Sequence, residues 1–382
     1  MNIQLLNKIA AVGLDQLDAS YNVGENVENP DGIMVRSAVM HEMDFAPSLK
    51  AIARAGAGVN NIPIERCSEN GIVVFNTPGA NANGVKELAI CALLLAARDV
   101  VGGIAWANTL TEDVAKQVEK GKSKFGGTEL MGKTLGVIGL GAIGGKIANT
   151  AIHLGMNVIG CDPFLSIEGA WNLNHRVNRA ATYDEVFEKS DYITLHVPAT
   201  KDTKNMICAE SIAKMKNGVK IINLSRADLV NAAELKAALA EGKVSAYVTD
   251  FPTEEVINTP GVVAIPHLGA STEESEDNCA VMAARELDDY LRNGNIKNSV
   301  NYPNVEMPRS GAARICVLHQ NVPSILTKIT AAVADEGLNI ENMTNKSKGE
   351  NAYTVLDVSS TPSDDAIARI ASVEGINRVR VI

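Results

Sequence analysis

The sequence lacks the features that mark several large classes of protein. Its longest apolar run, Leu88–Ala97, has ten residues, whereas a membrane-spanning helix needs about 20. The first residues show no basic stretch followed by an apolar core, so no secretory signal peptide is expected. We therefore expect a cytoplasmic protein with no membrane partner.

Positive charge and paired cysteines are scarce as well. The 382 residues include 35 Lys and Arg against 45 Asp and Glu, which gives a formal net charge of −10. Such a chain repels phosphate backbones, so nucleic acid is not an expected partner. The six cysteines form no CxxC pair and fit no zinc ribbon, so we expect no metal and a reducing compartment.

What the sequence does contain is a long alternation of short apolar strands with helices. Strand-like runs that end in Gly, Asn or Pro occur near residues 32–36, 51–56 and 72–75, and six more lie between residues 133 and 265. A helix is expected from about residue 85 to 101. This alternation is typical of parallel, doubly wound sheets, and it predicts an α/β protein with Rossmann-like domains.

The last 70 residues show a different pattern after a predicted long helix at 273–293 and a turn-rich stretch. The predicted order is strand 314–319, helix 323–336, strand 338–345, strand 352–359, helix 363–371 and strand 376–382. This βαββαβ order is ferredoxin-like, and it predicts a small, separate regulatory or assembly module.

A Gly-x-Gly-x-x-Gly pattern directly follows a predicted strand and begins a predicted helix. It comprises Gly139, Leu140, Gly141, Ala142, Ile143 and Gly144. In such a turn the glycines allow a tight bend, admit a pyrophosphate and let the helix pack closely. Asp162 follows the next strand, where its carboxylate would bind ribose hydroxyls, and the adjacent Pro163 and Phe164 offer no cation for a 2′-phosphate. The pattern predicts NAD rather than NADP.

Reactive side chains lie just past three strands of the same predicted sheet. They are Arg226, the neighbours Glu254 and Glu255, and His267. Ligand crevices of parallel α/β sheets form at this end of the strands. Each side chain alone fits a structural role, and it is their shared position at this edge of the sheet that makes them a candidate site.

The whole chain resembles the NAD-dependent D-isomer-specific 2-hydroxyacid dehydrogenases. The resemblance runs through Arg36-Ser37, Ala55–Asn60, Asn76–Asn81, the glycine pattern, His196–Pro198, the Arg226 segment and Pro266-His267. Within the family the chain resembles members that oxidise 3-phospho-D-glycerate to 3-phosphohydroxypyruvate in L-serine biosynthesis. The resemblance implies a homodimer or higher homo-oligomer.

The resemblance also implies the domain limits. They are a discontinuous substrate-binding domain at 1–95 and 273–300, an NAD-binding domain at 96–272, a linker at 301–312 and an ACT domain at 313–382. The expected fold is thus two Rossmann-like domains followed by a ferredoxin-like ACT domain.

The family's chemistry assigns roles to the reactive side chains. Arg226 would bind the substrate's carboxylate and reacting oxygen, and His267 would be the acid–base group. A glutamate would orient His267 and raise its pKa. The loop is one residue shorter than is usual in the family, so counting from one side selects Glu255 and from the other Glu254. The resemblance adds further cofactor contacts at Val197, Pro198, Asp250 and Gly269.

The resemblance also implies residues for the rest of the substrate. Backbone N–H groups of Ala57 and Gly58, with the side chain of Asn81, would hold the carboxylate. Arg36 with Ser37 would bind the 3-phosphate, and a further cation would come from elsewhere in the chain or from a partner subunit.

In ACT domains that sense L-serine, positions matching His319, Asn321 and Asn339 bind the effector between two modules. Here Ser324 replaces the family's glycine, so a module used only for dimerisation stays an alternative. Two other functions also stay open: a reductase of glyoxylate, hydroxypyruvate or another 2-keto acid, and a non-catalytic NAD-sensing protein.

Overall fold

The computed structural model describes residues 1–382, and the chain divides into two compact units. The first unit contains residues 1–80 and 276–382, and the second contains residues 81–275. The resemblance implied a limit near residue 95. The structure instead places the helix Ala82–Ala97 in the second unit, because its apolar face packs into that unit's core.

The N-terminal segment of the first unit is built on a five-stranded parallel sheet. Its elements are β1 (Asn2–Leu5), α1 (Ala11–Leu14), β2 (Asn22–Gly24), β3 (Gly32–Val35), β4 (Ala51–Arg54), α2 (Ile64–Glu69) and β5 (Val73–Phe75). The strand order is β2-β1-β3-β4-β5. Strands β3 and β5 are buried throughout, as expected for parallel strands that are covered on both faces.

The second unit is built on a seven-stranded parallel sheet. Its helices are α3 (Ala82–Ala97), α4 (Val100–Ala107), α5 (Val114–Gly121), α6 (Gly144–His153), α7 (Ile167–Trp171), α8 (Tyr183–Lys189), α9 (Ala209–Lys214) and α10 (Ala232–Ala240). Its strands are β6 (Thr134–Ile138), β7 (Asn157–Cys161), β8 (Val177–Arg179), β9 (Tyr192–Leu195), β10 (Val219–Asn223), β11 (Val244–Thr249) and β12 (Val262–Ala264). The order β12-β11-β10-β9-β6-β7-β8 reverses between β6 and β9, where ligands bind in such sheets. The predicted Rossmann-like fold is confirmed.

The predicted helix at 85–101 is wrong at its end. Helix α3 stops at Ala97, and α4 begins at Val100 because the Asp99 side chain accepts a hydrogen bond from the N–H of Gly102 at 2.9 Å. No single helix is long and apolar enough to cross a bilayer. The pair α3 and α4 meets that length and composition only together, with a bend of 72° between them.

The C-terminal segment adds a four-stranded antiparallel sheet. Its elements are α11 (Glu273–Asn293), β13 (Ala313–Gln320), α12 (Ile325–Asp335), β14 (Ile340–Lys348), β15 (Asn351–Val358), α13 (Asp364–Ala371) and β16 (Ile376–Val381). The strand order is β14-β15-β13-β16. The predicted element order is confirmed, and the main difference is that β14 continues to Lys348.

The C-terminal sheet is not a separate body, contrary to the sequence-based expectation. It shares one apolar core with α11 and the N-terminal sheet. The rings of Phe75 and Tyr290 lie 5.7 Å apart in this core, and the hydroxyl of Tyr353 donates a 2.6 Å hydrogen bond to the carbonyl of Gly294. The prediction failed because β13 and β15 are buried along almost their whole length, which a sequence-local pattern does not reveal.

Candidate active site

The glycine loop after β6 has the backbone that a dinucleotide site requires. Gly139 lies at φ +88°, and a Cβ there would collide with the carbonyl oxygen of His196. Gly144 begins α6, and a Cβ there would collide with the carbonyl oxygen of Gly139. A Cβ on Gly141 would meet no atom within 4 Å. The loop is therefore tightly folded but open at Gly141, with Ala142 and Ile143 leading into the N-terminus of α6, where a pyrophosphate is stabilised.

Asp162 ends the strand next to this loop and is bonded to it. Its Oδ2 accepts from the N–H of Leu140 at 2.8 Å, and its Oδ1 accepts from the N–H of Phe164 at 2.9 Å. Asp162 and Pro163 line a pocket of about 710 Å³. The pocket is large enough for the adenosine half of NAD, and the carboxylate sits where ribose hydroxyls bind in this fold.

Arg179 lines the same pocket and was missed in the sequence. It pairs with Gly160 across the parallel strands β7 and β8. The pairing of these two strands is the signal that could have identified Arg179, because a residue paired with the end of β7 lies near Asp162, which follows that strand. The sequence argument considered only the neighbours of Asp162 in the chain.

Val197 lies beside the glycine loop, and its predicted contact with the cofactor stays a prediction. Its Cγ1 is 3.0 Å from the position that a Cβ on Gly139 would take. The preceding His196 is half-buried, and desolvation of its ring lowers its pKa to about 3, so the ring is neutral. Its Nε2 shares a 2.8 Å hydrogen bond with the hydroxyl of Thr194. On the other side of Val197, the carbonyl of Pro198 accepts a 2.6 Å hydrogen bond from the hydroxyl of Thr203.

Arg226, Phe251 and His267 form one group at the carboxyl ends of the strands. The Cζ atom of Arg226 lies 5.3 Å from the centre of the Phe251 ring, and the rings of Phe251 and His267 are 4.4 Å apart. Arg226 and His267 are both exposed. Arg226 donates a 2.6 Å bond to the carbonyl of Ser225 but forms no ion pair, so its guanidinium is available to an acid. Phe251 was not singled out from the sequence.

Asp250 is the buried carboxylate of this group. Its side chain is only 2% exposed, and Oδ1 has no hydrogen-bond partner. Burial raises the pKa of Asp250, while the nearby His267 and Arg226 oppose that rise. Gly269 lies close by, since a Cβ there would be 3.6 Å from Oδ2 of Asp250. An unpartnered buried oxygen beside a histidine is suited to a polar ligand such as an amide.

The predicted histidine–glutamate pair is not formed in this structure. No hydrogen bond joins His267 to Glu254 or Glu255, and both glutamates are exposed. Glu255 lines a pocket of about 290 Å³ together with Phe251, whereas Glu254 does not. The choice between the two glutamates stays a prediction.

In the first unit, Arg36 and Ser37 follow β3 and are already engaged. The backbone N–H groups of both residues donate to Oδ1 of Asn7, at 2.9 and 3.0 Å. The guanidinium of Arg36 forms a 2.6 Å ion pair with Glu276. An anionic ligand would have to exchange with that carboxylate.

Arg54 is a cation that the sequence argument missed. It ends β4, and its Nε donates to the carbonyl of Arg36 at 3.1 Å. Its guanidinium lies against the glycine-rich turn, because Nη1 is 2.5 Å from where a Cβ on Gly56 would be and 3.7 Å from that of Gly58. Arg54 forms no ion pair, and burial together with the charge of Arg36 lowers its pKa. Its place at the end of the strand next to Arg36 could have identified it.

The Ala57–Gly58 turn is held by the segment after β5. The amide of Asn76 donates to the carbonyl of Ala57 at 2.6 Å, and the N–H of Thr77 donates to the carbonyl of Gly56 at 3.2 Å. Asn81 belongs to the second unit, where it caps α3 without a side-chain hydrogen bond. Its amide therefore remains free for a ligand.

The three predicted effector residues bind different groups within this chain. His319 is buried, with Nδ1 bonded to the carbonyl of Gln320 at 2.7 Å and Nε2 to the hydroxyl of Thr354 at 2.8 Å. The amide of Asn321 donates to the carbonyl of Gly349, at 3.3 Å. The amide of Asn339 donates to Oε1 of Glu341, at 3.0 Å. Since both ring nitrogens of His319 are occupied, this side chain is not free to bind an effector here.

Comparisons with known proteins identify the family to which the second unit is similar. Residues 94–269 match the model of the D-isomer specific 2-hydroxyacid dehydrogenase, NAD binding domain. The chain is 34% identical to the D-3-phosphoglycerate dehydrogenase of Methanocaldococcus jannaschii over 88% of its own length and 64% of that protein's. It is 32% identical to the Escherichia coli K12 protein of the same name, over 89% of this chain and 83% of that one.

A solved structure with the same fold carries the cofactor. It is NAD+-bound 3-phosphoglycerate dehydrogenase from Entamoeba histolytica, which is 31% identical, with a TM-score of 0.61. The match covers 79% of this chain and 98% of that one. The glycine loop, Asp162 and the adjoining pocket fit NAD, which is the cofactor of this domain. The chain belongs to the D-isomer-specific 2-hydroxyacid dehydrogenase family.

Proposed function

We propose that the protein oxidises 3-phospho-D-glycerate to 3-phosphohydroxypyruvate with NAD, the first step of L-serine biosynthesis. The observation that carries the proposal is the group of Arg226, Phe251 and His267 at the carboxyl ends of parallel strands. The choice of substrate rests on the similarity to relatives named D-3-phosphoglycerate dehydrogenase.

The side chains of the second unit suit the oxidation of a 2-hydroxy acid. NAD supplies the acceptor for the hydride that leaves C2. Arg226 binds the substrate's carboxylate with two parallel N–H donors, which fixes the orientation of C2. A ring nitrogen of His267 takes the hydroxyl proton, and the exposed ring passes it to water. Glu254 or Glu255 is the proposed group that orients the ring, and Asp250 is proposed to approach the nicotinamide amide.

Phosphate recognition belongs to two arginines of the first unit. Arg54 has no acidic partner, and Arg36 is held by Glu276 until a stronger anion replaces it. A phosphate carries more charge than a carboxylate and accepts from several donors at once. The backbone N–H groups of Ala57 and Gly58 and the amide of Asn81 are the proposed donors to the carboxylate.

The pairing of Arg36 with Glu276 favours a second candidate function. If that pair does not open, the chain would act on an unphosphorylated acid, as a reductase of glyoxylate, hydroxypyruvate or another 2-keto acid. A non-catalytic NAD-sensing role is disfavoured because His267 and Arg226 are both exposed and neither side chain forms an ion pair that would explain it.

The C-terminal sheet with α12 and α13 is the proposed regulatory module, of the ferredoxin-like ACT kind. The order of its elements supports this assignment. Ser324, which replaces the family's glycine, takes the left-handed conformation at φ 63°, as that glycine position requires. L-serine is the proposed effector through Asn321 and Asn339, with His319 as a structural neighbour, and a purely assembling module is the alternative.

A homodimer is proposed to form through the second unit. Helix α4 buries none of its side chains, although Val100, Val101 and Ile104 are apolar and exposed. An apolar helix of this kind is typical of a surface covered by a partner, and a second copy of the chain is the partner proposed. All six cysteines are free thiols, which suits the proposed location in the cytoplasm.

The test is NADH formation from NAD with 3-phosphoglycerate, glycerate and lactate, each with and without L-serine. The proposal expects a strong preference for the phosphorylated acid. Equal or better turnover of glycerate or lactate would overturn it in favour of the second candidate. Inhibition by serine would support the effector assignment, and the absence of any serine effect would leave assembly as the module's role.

A further inference from the structure

The Ala57–Gly58 turn, which is proposed to bind the substrate, is held by residues 74–76, and these are hydrogen-bonded to a segment that follows α11. The N–H of Asn76 donates to the carbonyl of Asn298 at 3.3 Å, and the N–H of Val300 donates to the carbonyl of Val74 at 2.9 Å. Phe75 and Ser299 form an antiparallel bridge between these two bonds. The segment 298–301 therefore continues the sheet beyond β5 and fixes the backbone from which the Asn76 amide reaches the Ala57 carbonyl.

Asn298 is held in turn by a buried glutamate. Glu286 of α11 is 8% exposed, and its Oε1 accepts from the side-chain amide of Asn298 at 2.6 Å. Asn298 takes a left-handed backbone at φ 57°, which asparagine adopts more readily than most residues with a side chain. The bond to Glu286 is the side-chain contact that holds Asn298 in this place.

The other oxygen of Glu286, Oε2, has no hydrogen-bond partner. A buried carboxyl with a free oxygen is destabilising, so a structural residue at this position would more simply be apolar or an amide. Burial raises the pKa of Glu286 to about 8, against the Asn298 amide and the charge of Lys297, which lower it. The carboxyl is therefore largely neutral at pH 7.

We propose that Glu286 is a positioning residue for the substrate: through Asn298 and Asn76 it holds the Ala57–Gly58 turn in the conformation that binds the acid. This inference rests on the proposed function, which assigns that turn to the substrate. Glu286 itself touches no ligand. Its effect reaches the turn through three hydrogen bonds, Glu286–Asn298, Asn298–Asn76 and Asn76–Ala57.

Two variants break the first bond in different ways. Glu286→Ala removes the acceptor, and Asn298→Gly removes the donor while keeping a residue that tolerates the left-handed backbone. Each should raise KM for 3-phosphoglycerate about 3- to 10-fold, which corresponds to the loss of one hydrogen bond. The KM for NAD and kcat should stay within about twofold of the wild-type values, since the second unit is untouched. Glu274→Gln, an exposed acid on the same helix, is the matched control.

Glu286→Gln tests the protonation state. Glutamine resembles the neutral carboxyl, so at pH 7 this variant should match the wild type. As the pH rises from the carboxyl's ordinary range toward about 8, ionisation increasingly favours a loosened segment in which the carboxylate reaches water. The wild-type KM for the acid should therefore rise relative to that of Glu286→Gln as the pH approaches 8, and it should level off above that pH. A KM ratio between the two proteins that is constant from pH 6.5 to 9.5, within about twofold, would contradict the proposed role.

Amide hydrogen exchange gives a readout that needs no turnover. The proposal expects faster exchange at Asn76 and across residues 55–58 in Glu286→Ala and Asn298→Gly, with unchanged exchange in the second unit. Unchanged exchange at Asn76 and residues 55–58, or an unchanged KM for the acid in both variants, would overturn the proposal. If the wild type does not oxidise 3-phosphoglycerate, the proposed function fails, and the exchange data still decide whether Glu286 holds the turn.

Discussion

Arg226 of the second unit and Arg36 of the first are candidate ligand-binding arginines that are held in different ways, whereas Arg54 of the first unit is unpaired like Arg226. In the second unit Arg226 forms no ion pair, whereas in the first unit Arg36 is bound to Glu276 at 2.6 Å. An unpaired guanidinium can engage any carboxylate, but a paired one must exchange its partner. From this difference we propose that the second unit accepts 2-hydroxy acids in general, and that the first unit favours an acid whose second anion can displace a carboxylate.

The largest effect is expected from a substitution in the second unit, where the oxidation is proposed to occur. His267→Ala should lower kcat about 10²- to 10⁴-fold, because the hydroxyl proton loses its acceptor. NAD affinity, measured by fluorescence titration, should be nearly unchanged, since the glycine loop and Asp162 are intact. Unchanged turnover would remove His267 from the mechanism and leave the exposed Arg226 without a catalytic neighbour.

A smaller effect is expected at the cofactor acid. Asp162→Ala removes the proposed acceptor for the ribose hydroxyls and should weaken the preference for NAD over NADP about tenfold, the order of one charged hydrogen bond. The measurement is the ratio of kcat/KM for the two cofactors. Arg179→Gln is the informative partner variant, because it removes the one guanidinium in the same pocket. An unchanged ratio in Asp162→Ala would place the ribose contact elsewhere.

The smallest effect is expected in the first unit, at the ion pair between Arg36 and Glu276. Glu276→Gln removes the charge that holds Arg36, so KM for 3-phosphoglycerate should fall. An exposed ion pair contributes at most about 1 kcal/mol, so the change should not exceed about fivefold. The KM for glycerate should not change, and Glu273→Gln is the control on the same helix. A rise in KM would mean that Glu276 positions Arg36 rather than competing for it.

Much of the fold follows from local sequence patterns. Helix α11 occupies the predicted residues 273–293, and the C-terminal elements appear in the predicted order, because apolar periodicity and turn residues are local signals. The break between α3 and α4 was missed, although Asp99 is a typical N-cap residue. The shared core of the first unit could not be predicted, since it joins Phe75 to Tyr290 across more than 200 residues.

Some residues of the candidate site could be predicted from the sequence, and others could not. The glycine loop, Asp162, Arg226 and His267 each follow a strand, so their neighbourhood at one edge of the sheet could be inferred from the sequence. The pairing of Arg36 with Glu276 depends on a contact between residues 240 positions apart. No sequence-local signal contains that contact, and the same holds for the bond between Asn298 and Glu286, whose neutral carboxyl only the buried environment explains.

The central claim, that the first unit selects the phosphate while the second performs the oxidation, is tested most directly at Arg54. The measurement is kcat/KM for 3-phosphoglycerate and for glycerate in the wild type and in Arg54→Ala. We predict that the value for 3-phosphoglycerate falls about 10- to 100-fold, as for a lost charged contact, while that for glycerate changes less than about twofold. An equal fall for both substrates would contradict the account, because Arg54 would then serve the carboxylate or the fold and not the phosphate.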